Sequence, residues 1–466
     1  MDGSAGKLGD ARSPGLSWDD MLAAEKRPVP KHLTAHSYDY LGSEPLDVAR
    51  YISPEFFRRE VEHMWPRVWQ FACREDEIPE PGDVYLYENV GVSLLVTRQN
   101  DGSIRAFHNS CLHRGRKLRT SSGYSSEFKC PFHGFTWETN GGLKEIPCAW
   151  DFEHLSKDKM QLPEARVDTW AGFVFVNVDG KAQPLVEFLH PLPDHFTDWR
   201  LEDCVTAVWV AKVIPANWKA TAEAFMEAWH SIVTHPQILR FTGDANTRYD
   251  IYGDHANRAM TPFGTLSPHL SGKGLGEQDV VDALMKFSGR LGGAAGPVPK
   301  VPEGMTAREF LGAATRARLT AENGWDHESA TDSELLDAYT YNVFPNFSPW
   351  GGFAPNIIYR WRPWPDQDQT LMEVRLLQRR PKDKPRPKPA PMKFLRADQP
   401  WASAMELGAL GGIYDQDMAN LPFVQDGLKA SAVGRIELGN YQEIRVRHFH
   451  RTLDRYLAGT IGAAQA

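Results

Sequence analysis

The chain reads as an α+β protein in two parts: a small antiparallel β domain, then a larger domain in which an antiparallel sheet is covered by helices. Three observations predict this. At 466 residues the chain exceeds what one core ordinarily serves, roughly 250–300 residues. From about residue 67 to 180, short β-like runs alternate with Gly, Pro, Asn and Asp turns. After about residue 185, helical and strand-like stretches are mixed.

The elements follow in order. Residues 1–35 are small and polar and predict a loosely ordered arm, suited to wrapping a neighbouring subunit. Residues 52–66 open on Ser53 and Pro54 and space Phe56, Phe57, Val61, Met64 and Trp65 as a helix does. Residues 84–87, 92–96 and 172–177 read as strands of the small domain. Residues 216–235 read as a helix whose apolar face is Trp218, Ala222, Phe225, Trp229 and Ile232. Residues 255–330, rich in Gly and Pro, predict an irregular excursion, a lid or a surface insertion. Helices are expected at 305–320 and 332–340, strands at 356–362 and 371–377, and helical structure over about 400–458. The proline-rich run 381–391 is an exposed spacer.

Composition narrows the function classes. Apolar content of 42% and charged content of 24% are those of a globular protein. A net charge of −8 argues against a nucleic-acid partner, which wants a basic face. No apolar run reaches the ~18 residues that span a bilayer, and the first thirty-odd residues lack a signal-peptide core. Five cysteines make no disulfide framework. Cys73, Cys148 and Cys204 read as buried thiols in a reducing, cytoplasmic setting.

Chemistry concentrates in two places. Cys111-Leu112-His113 and Cys130-Pro131-Phe132-His133 are separated by sixteen residues and fall in loops between strands. Two thiolates and two imidazoles in this arrangement suit a Rieske [2Fe–2S] centre, with the cysteines on one iron and the histidines on the other. Each histidine replaces a thiolate by a neutral ligand, which raises the cluster potential. Gly115 and Gly134 let the backbone approach closely, and Pro131 stiffens its loop. A tetrahedral zinc site is the alternative for two Cys and two His, but its usual spacings are C-x-x-C and H-x3–5-H.

The second place is residues 216–235. Glu223, Glu227 and His230 share one face of the expected helix at i, i+4 and i+7. His235 lies roughly 140° further round a regular helix. Pro236 pushes His235 out of the α region and lets it swing towards His230. Two histidines and a carboxylate from elsewhere make the facial triad of a mononuclear non-haem iron site. A solvated helix face with one satisfied histidine is the alternative.

With both motifs in view, the chain resembles the catalytic α subunits of Rieske non-haem iron aromatic-ring-hydroxylating oxygenases across about residues 45–455. Their pattern of Asn-Trp-Lys, an acid, then acid-x-x-His-x4-His is matched by Asn217, Trp218, Lys219, Glu223, Glu227, His230 and His235. Ala224 stands where an asparagine is common, and the Glu223-to-His230 spacing is nearer that of the monooxygenase and demethylase branches. The resemblance implies mononuclear Fe(II) on His230 and His235. It implies that Glu227, with Glu in place of the commoner Asp, bridges an iron-ligating histidine to a cluster histidine of the neighbouring subunit.

The third ligand is implied in the acidic segment Tyr414-Asp415-Gln416-Asp417, eight residues before Gln425-Asp426-Gly427-Leu428. That points to Asp417. Asp415 is the alternative, and on a helix the two point roughly 200° apart. The implied organisation is an arm over 1–45, a Rieske domain over 46–185 and a catalytic domain over 186–466. The implied function is a terminal oxygenase taking electrons from a ferredoxin or reductase. With dioxygen it hydroxylates (mono- or di-) or oxidatively dealkylates an apolar aromatic or polycyclic substrate, as in aromatic hydrocarbon catabolism. It would assemble as a homotrimer, with or without a β subunit, away from nucleic acid and membrane. The rival is a Rieske electron-transfer protein without oxygenase chemistry. Phe225, Met226, Phe344 and Trp350 are candidate pocket residues.

Overall fold

The computed structural model describes residues 12–289 and 298–462. It divides into two compact units, Met1–Phe57 with Leu189–Thr452, and Arg58–Phe188 with Leu453–Ala466. Among the described residues, no helix is long and apolar enough to cross a membrane.

The smaller unit carries two antiparallel sheets. The larger of these has seven strands, in the spatial order Gln70–Arg74, Phe173–Asn177, Glu164–Trp170, Ile104–His108, Val92–Arg98, Asp83–Asn89 and Gly123–Tyr124. The expected runs 84–87, 92–96 and 172–177 fall within three of these strands, displaced by a residue or two at their ends. The other sheet pairs Glu127–Lys129, Thr136–Glu138 and Leu143–Glu145. A core of Phe107, Leu118, Phe128, Phe135 and Trp137 encloses Cys111 and Cys130. The Trp137 indole inside it donates to the Met160 carbonyl at 2.7 Å. The expected helix 52–66 is a chain of short pieces, Ala49–Ile52, Pro54–Arg59 and a wider turn Glu60–Met64.

The larger unit is built on one eight-stranded sheet. Its order is Arg248–Tyr252, Ala256–Thr261, Ala338–Val343, Ser348–Gly351, Asn356–Pro363, Thr370–Arg379, Cys204–Ile214 and Lys393–Leu395. All pairs are antiparallel except the edge strand Lys393–Leu395, which runs parallel to Cys204–Ile214. The strands expected at 356–362 and 371–377 are central. Helices Ala307–Asn323, Ala409–Met418, Leu421–Lys429 and Ile444–Leu457 accompany the sheet.

Four expectations need correction. Residues 256–261 are not part of an excursion: they form a fully buried strand between two others. Periodicity misses it because Asn257 and Arg258 interrupt the apolar run, and both find partners inside the fold, Arg445 and Asp250. The stretch 332–340 is helical only over Asp332–Leu336 and then becomes strand. Cys148 is exposed, whereas Cys73 and Cys204 are buried. The arm is ordered over residues 12–35; residues 1–11 lie outside the described residues.

The arm is held by its own unit. Ser17 and Asp20 form a capping box on helix Trp18–Ala23, and Trp18, Met21, Leu22 and Leu33 are buried. Arg248 donates to Asp19 and to the Leu33 carbonyl, both at 3.1 Å. His32 stacks on His195, with centroids 4.7 Å apart. Burial and the Arg258 guanidinium lower His32 from 6.5 to about 4. Above pH 6.5 folded and unfolded arms are both neutral there. Between 6.5 and about 4 only the unfolded arm takes up the proton, so stability falls as pH falls through this window. Thermal melts across it are expected to show that loss together with those of the buried His195, His255 and His448, and His32→Gln is expected to reduce it.

Gly411 sits where helix Ala409–Met418 crosses the turn Trp401–Ser403. A Cβ there would lie 2.8 Å from the Ala402 Cα and 3.0 Å from the Trp401 carbonyl oxygen, backbone that cannot rotate away. Gly411→Ala is expected to destabilise by about 1–3 kcal/mol through overpacking, although alanine is the better helix former. A denaturant midpoint measures it.

Candidate metal centres

The two loops of the small unit fold as the same turn. The Cys111 N–H donates to the Arg116 carbonyl and the Gly115 N–H to the Cys111 carbonyl, both at 2.9 Å. The Cys130 N–H donates to the Phe135 carbonyl at 2.8 Å and the Gly134 N–H to the Cys130 carbonyl at 2.9 Å. Gly115 and Gly134 take φ of +74° and +78°, which only glycine adopts readily. The turns bring the His113 and His133 rings to 4.6 Å. His113 is fixed by stacking on Phe135 at 4.8 Å and 9°.

The cysteines of this group interact. Burial pushes the Cys130 thiol up, but the N–H groups of Phe132 and His133 and the Cys111 S–H donate to its sulfur and hold it below the usual thiol range. Burial raises Cys111, against the N–H groups of His113 and Arg114. The His113 Nδ1 is buried without a hydrogen-bond partner among the described residues. An orphaned imidazole nitrogen beside two thiols and a second imidazole is the donor set a mixed-ligand cluster needs.

In the larger unit the expected helix 216–235 is not continuous. It is helical over Trp218–Glu223 and again over Ser231–Thr234. Trp229, assigned to the apolar face, is 44% exposed. Tertiary contacts open the helix. Glu223 accepts from the Tyr51 hydroxyl at 3.0 Å and lies 2.7 Å from His450 Nε2. The Ala228 N–H donates to the Tyr249 hydroxyl at 3.2 Å. The shared face of Glu223, Glu227 and His230 therefore does not exist as a helix face.

The break brings His230 and His235 together by another route. One ligand atom from each of His230, His235 and Asp417 lies within 4.8 Å of the others. The Asp417 Oδ1 is 2.9 Å from His235 Nε2 and 3.7 Å from His230 Nε2. Both Nδ1 atoms are engaged elsewhere. His230 Nδ1 meets Glu227 Oε1 at 2.5 Å, and Glu227 Oε2 accepts from the His230 N–H at 3.0 Å. His235 Nδ1 meets Gln416 Oε1 at 2.9 Å. Burial alone would lower His230, but the Glu227 carboxylate and the Asp417 charge raise it. Two imidazoles with Nδ1 held and Nε2 facing one buried carboxylate fit a divalent iron site.

Asp415 does something else. Its carboxylate accepts from the Trp401 and Ala402 N–H groups at 2.6 and 3.0 Å. Gln416 was invisible to sequence reasoning, because an amide in a helix carries no ligand signal until its neighbour is known. An aromatic wall forms nearby: Phe225 lies 4.8 Å from Tyr359 and 5.4 Å from Trp361. The Tyr359 hydroxyl meets that of Tyr414, one helical turn before Asp417, at 3.1 Å. Trp350 touches this group through Tyr359, whereas Phe344 packs on Phe449.

The geometry agrees with known proteins. The family model for the ring hydroxylating alpha subunit (catalytic domain) matches residues 194–459, and that for the Rieske [2Fe-2S] domain matches 68–156. The large oxygenase component of the naphthalene 1,2-dioxygenase system of Pseudomonas putida is 35% identical over 261 residues, 50% of this chain and 56% of that protein. The chain thus spans little more than half the length of the first curated relatives it matches. Chlorobenzene dioxygenase subunit alpha of Cupriavidus sp. (strain PS12) is 34% identical over 67% of this chain and 68% of its own. A crystal structure of a naphthalene 1,2-dioxygenase mutant bound to phenanthrene superposes with a TM-score of 0.64 at 22% identity, covering 92% of this chain and 94% of that one. A structure of a quaternary ammonium Rieske monooxygenase gives 0.63 at 17%, covering 89% and 96%. At these identities the structural likeness is one of fold. Because the catalytic-domain model matches more than half of its length, the chain belongs to the ring-hydroxylating alpha-subunit family, with a Rieske [2Fe–2S] domain ahead of the catalytic one.

Proposed function

We propose that this chain is a terminal oxygenase component that puts oxygen from O2 into an apolar aromatic substrate. Residues 46–185 act as the cluster domain and 186–466 as the catalytic domain. Cys111, His113, Cys130 and His133 hold the [2Fe–2S] cluster, and His230, His235 and Asp417 hold mononuclear iron. A separate ferredoxin or reductase supplies electrons. The observation that carries this reading is the convergence of His230, His235 and Asp417 in a chain that also presents the paired Cys/His turns.

When bound, the two groups supply one-electron transfer and the activation of dioxygen. The residues around them have definite tasks. Glu227 and Gln416 hold the Nδ1 sides of His230 and His235, so that each Nε2 faces Asp417. Asp417 neutralises charge in a buried pocket. Phe225, Tyr359, Trp361 and Tyr414 form an apolar face for a flat substrate and keep water away from the site.

A homotrimer completes the electron path in this reading. Glu227 bridges His230 to His113 or His133 of the partner subunit. Exposed apolar side chains flank both centres and suit burial against a second copy: Trp229 and Val233 beside His230, at 44% and 84% exposure, and Phe132 beside His133, at 57%. The test is metal analysis with EPR on the purified chain. About three irons per chain and a mixed-ligand [2Fe–2S] signal are expected. Two irons would leave only the electron-transfer reading, and a colourless zinc protein would leave neither. Product mass spectrometry with a surrogate reductase then separates mono- from dihydroxylation and dealkylation.

A further inference from the structure

Residues 224–230 leave helical geometry, so the peptide groups around Glu227 lose their usual partners. Two buried side chains take them over. Arg445 NH1 donates to the Met226 carbonyl at 3.3 Å, and the Tyr249 hydroxyl accepts from the Ala228 N–H at 3.2 Å. The residues on either side of Glu227 are therefore both held, and the Glu227 carboxylate closes on the ring and the N–H of His230.

Arg445 is an unusual group for this place. It is 1% exposed. Its Nε donates to Asn257 Oδ1 at 2.6 Å and its NH1 to Thr340 Oγ1 at 3.0 Å, so its three acceptors are all neutral. Its NH2 is buried with no partner among the described residues. A buried charge is costly unless something opposes it, and an apolar side chain would pack there more cheaply. Burial pushes the Arg445 guanidinium down to about 9, so it stays charged at neutral pH; the charge that opposes this is the Glu227 carboxylate, Tyr249 being a neutral phenol. Asn257, which orients the guanidinium, is itself held by His448 at 3.1 Å.

We propose that Arg445 is a positioning residue for the Glu227–His230 pair: its buried guanidinium grips the Met226 carbonyl and so fixes the peptide that brings the Glu227 carboxylate to the His230 ring. Tyr249 is the second half of the grip. This rests on the proposed iron site at His230, His235 and Asp417, which Arg445 does not touch.

The experiment compares Arg445→Gln, Arg445→Lys and Tyr249→Phe with the unsubstituted full chain, each loaded in turn with iron and with Co(II). The Co(II) absorption and EPR spectra report the angle at which His230 meets the metal. Expected are altered Co(II) spectra in Arg445→Gln and, more weakly, in Tyr249→Phe. Turnover per bound iron should fall about ten- to a hundredfold in Arg445→Gln, the usual effect of losing a partner of a metal ligand. Arg445→Lys keeps the charge without the fork and should fall between. A lower melting temperature with unchanged Co(II) spectra and unchanged turnover per iron would mean a purely structural residue and overturn the proposal. If Arg445→Gln does not fold, Arg445→Lys and Tyr249→Phe decide, and unchanged spectra in both overturn it. An unsubstituted chain that binds neither metal at this site would instead sink the iron-site reading itself.

Discussion

Asp417→Ala is expected to abolish oxygenation, lower the iron content from about three to about two per chain, and leave the cluster spectrum unchanged. The expectation follows from where its carboxylate sits. It is 5% exposed and faces both histidine Nε2 atoms, so its loss leaves two neutral donors and no counter-charge in a buried site. Asp415→Ala is the control. It should retain iron and lose stability, because the Trp401 and Ala402 N–H groups lose their acceptor. If iron instead leaves with Asp415 and stays without Asp417, the assignment is reversed. Metal analysis and absorption spectra of the two variants settle it.

Glu227→Ala should keep both metal centres and slow the passage of electrons between them. The carboxylate holds the His230 ring through Nδ1 and accepts from the His230 N–H just before the short helix Ser231–Thr234. Removing it frees the ring and deletes the proposed bridge to the partner subunit. Turnover should fall by about a hundredfold, the upper range for an outer partner of a metal ligand. The reduced cluster should also be reoxidised more slowly on mixing with dioxygen and substrate. Normal turnover with full metal content would remove Glu227 from the electron path. Both variants can be read on one preparation, since each predicts a different pairing of metal content with activity.

The small domain was almost fully legible in the sequence. Its strands are short runs of β-branched, aromatic and other apolar residues bounded by turn residues, and the paired Cys/His spacings fall on its loops as expected. The segment 216–235 was legible in content but not in shape. It has no glycine or proline before Pro236, so nothing local marks the opening after Glu223. The partners that open it, Tyr51, Tyr249, Arg445 and His450, come from distant parts of the chain. The same reason hid Gln416 and the buried strand Ala256–Thr261, whose polar residues find partners only in the fold. The eight-residue spacing to Gln425 already favoured Asp417 over Asp415; geometry adds that the Asp415 carboxylate is engaged by the Trp401 and Ala402 N–H groups.

The N–H···S contacts of the paired turns bear on how this protein can change over evolutionary time. Each sulfur draws two donors from the main chain, Cys111 from His113 and Arg114, Cys130 from Phe132 and His133. Donors to cluster sulfurs raise the reduction potential, and no side-chain replacement can delete a peptide N–H, save for proline. A lineage drifting through point mutations would therefore keep these donors to the proposed cluster ligands while its aromatic wall at Phe225, Tyr359 and Trp361 was free to vary. This part of the tuning would be inherited with the backbone, and the choice of substrate left to the side chains.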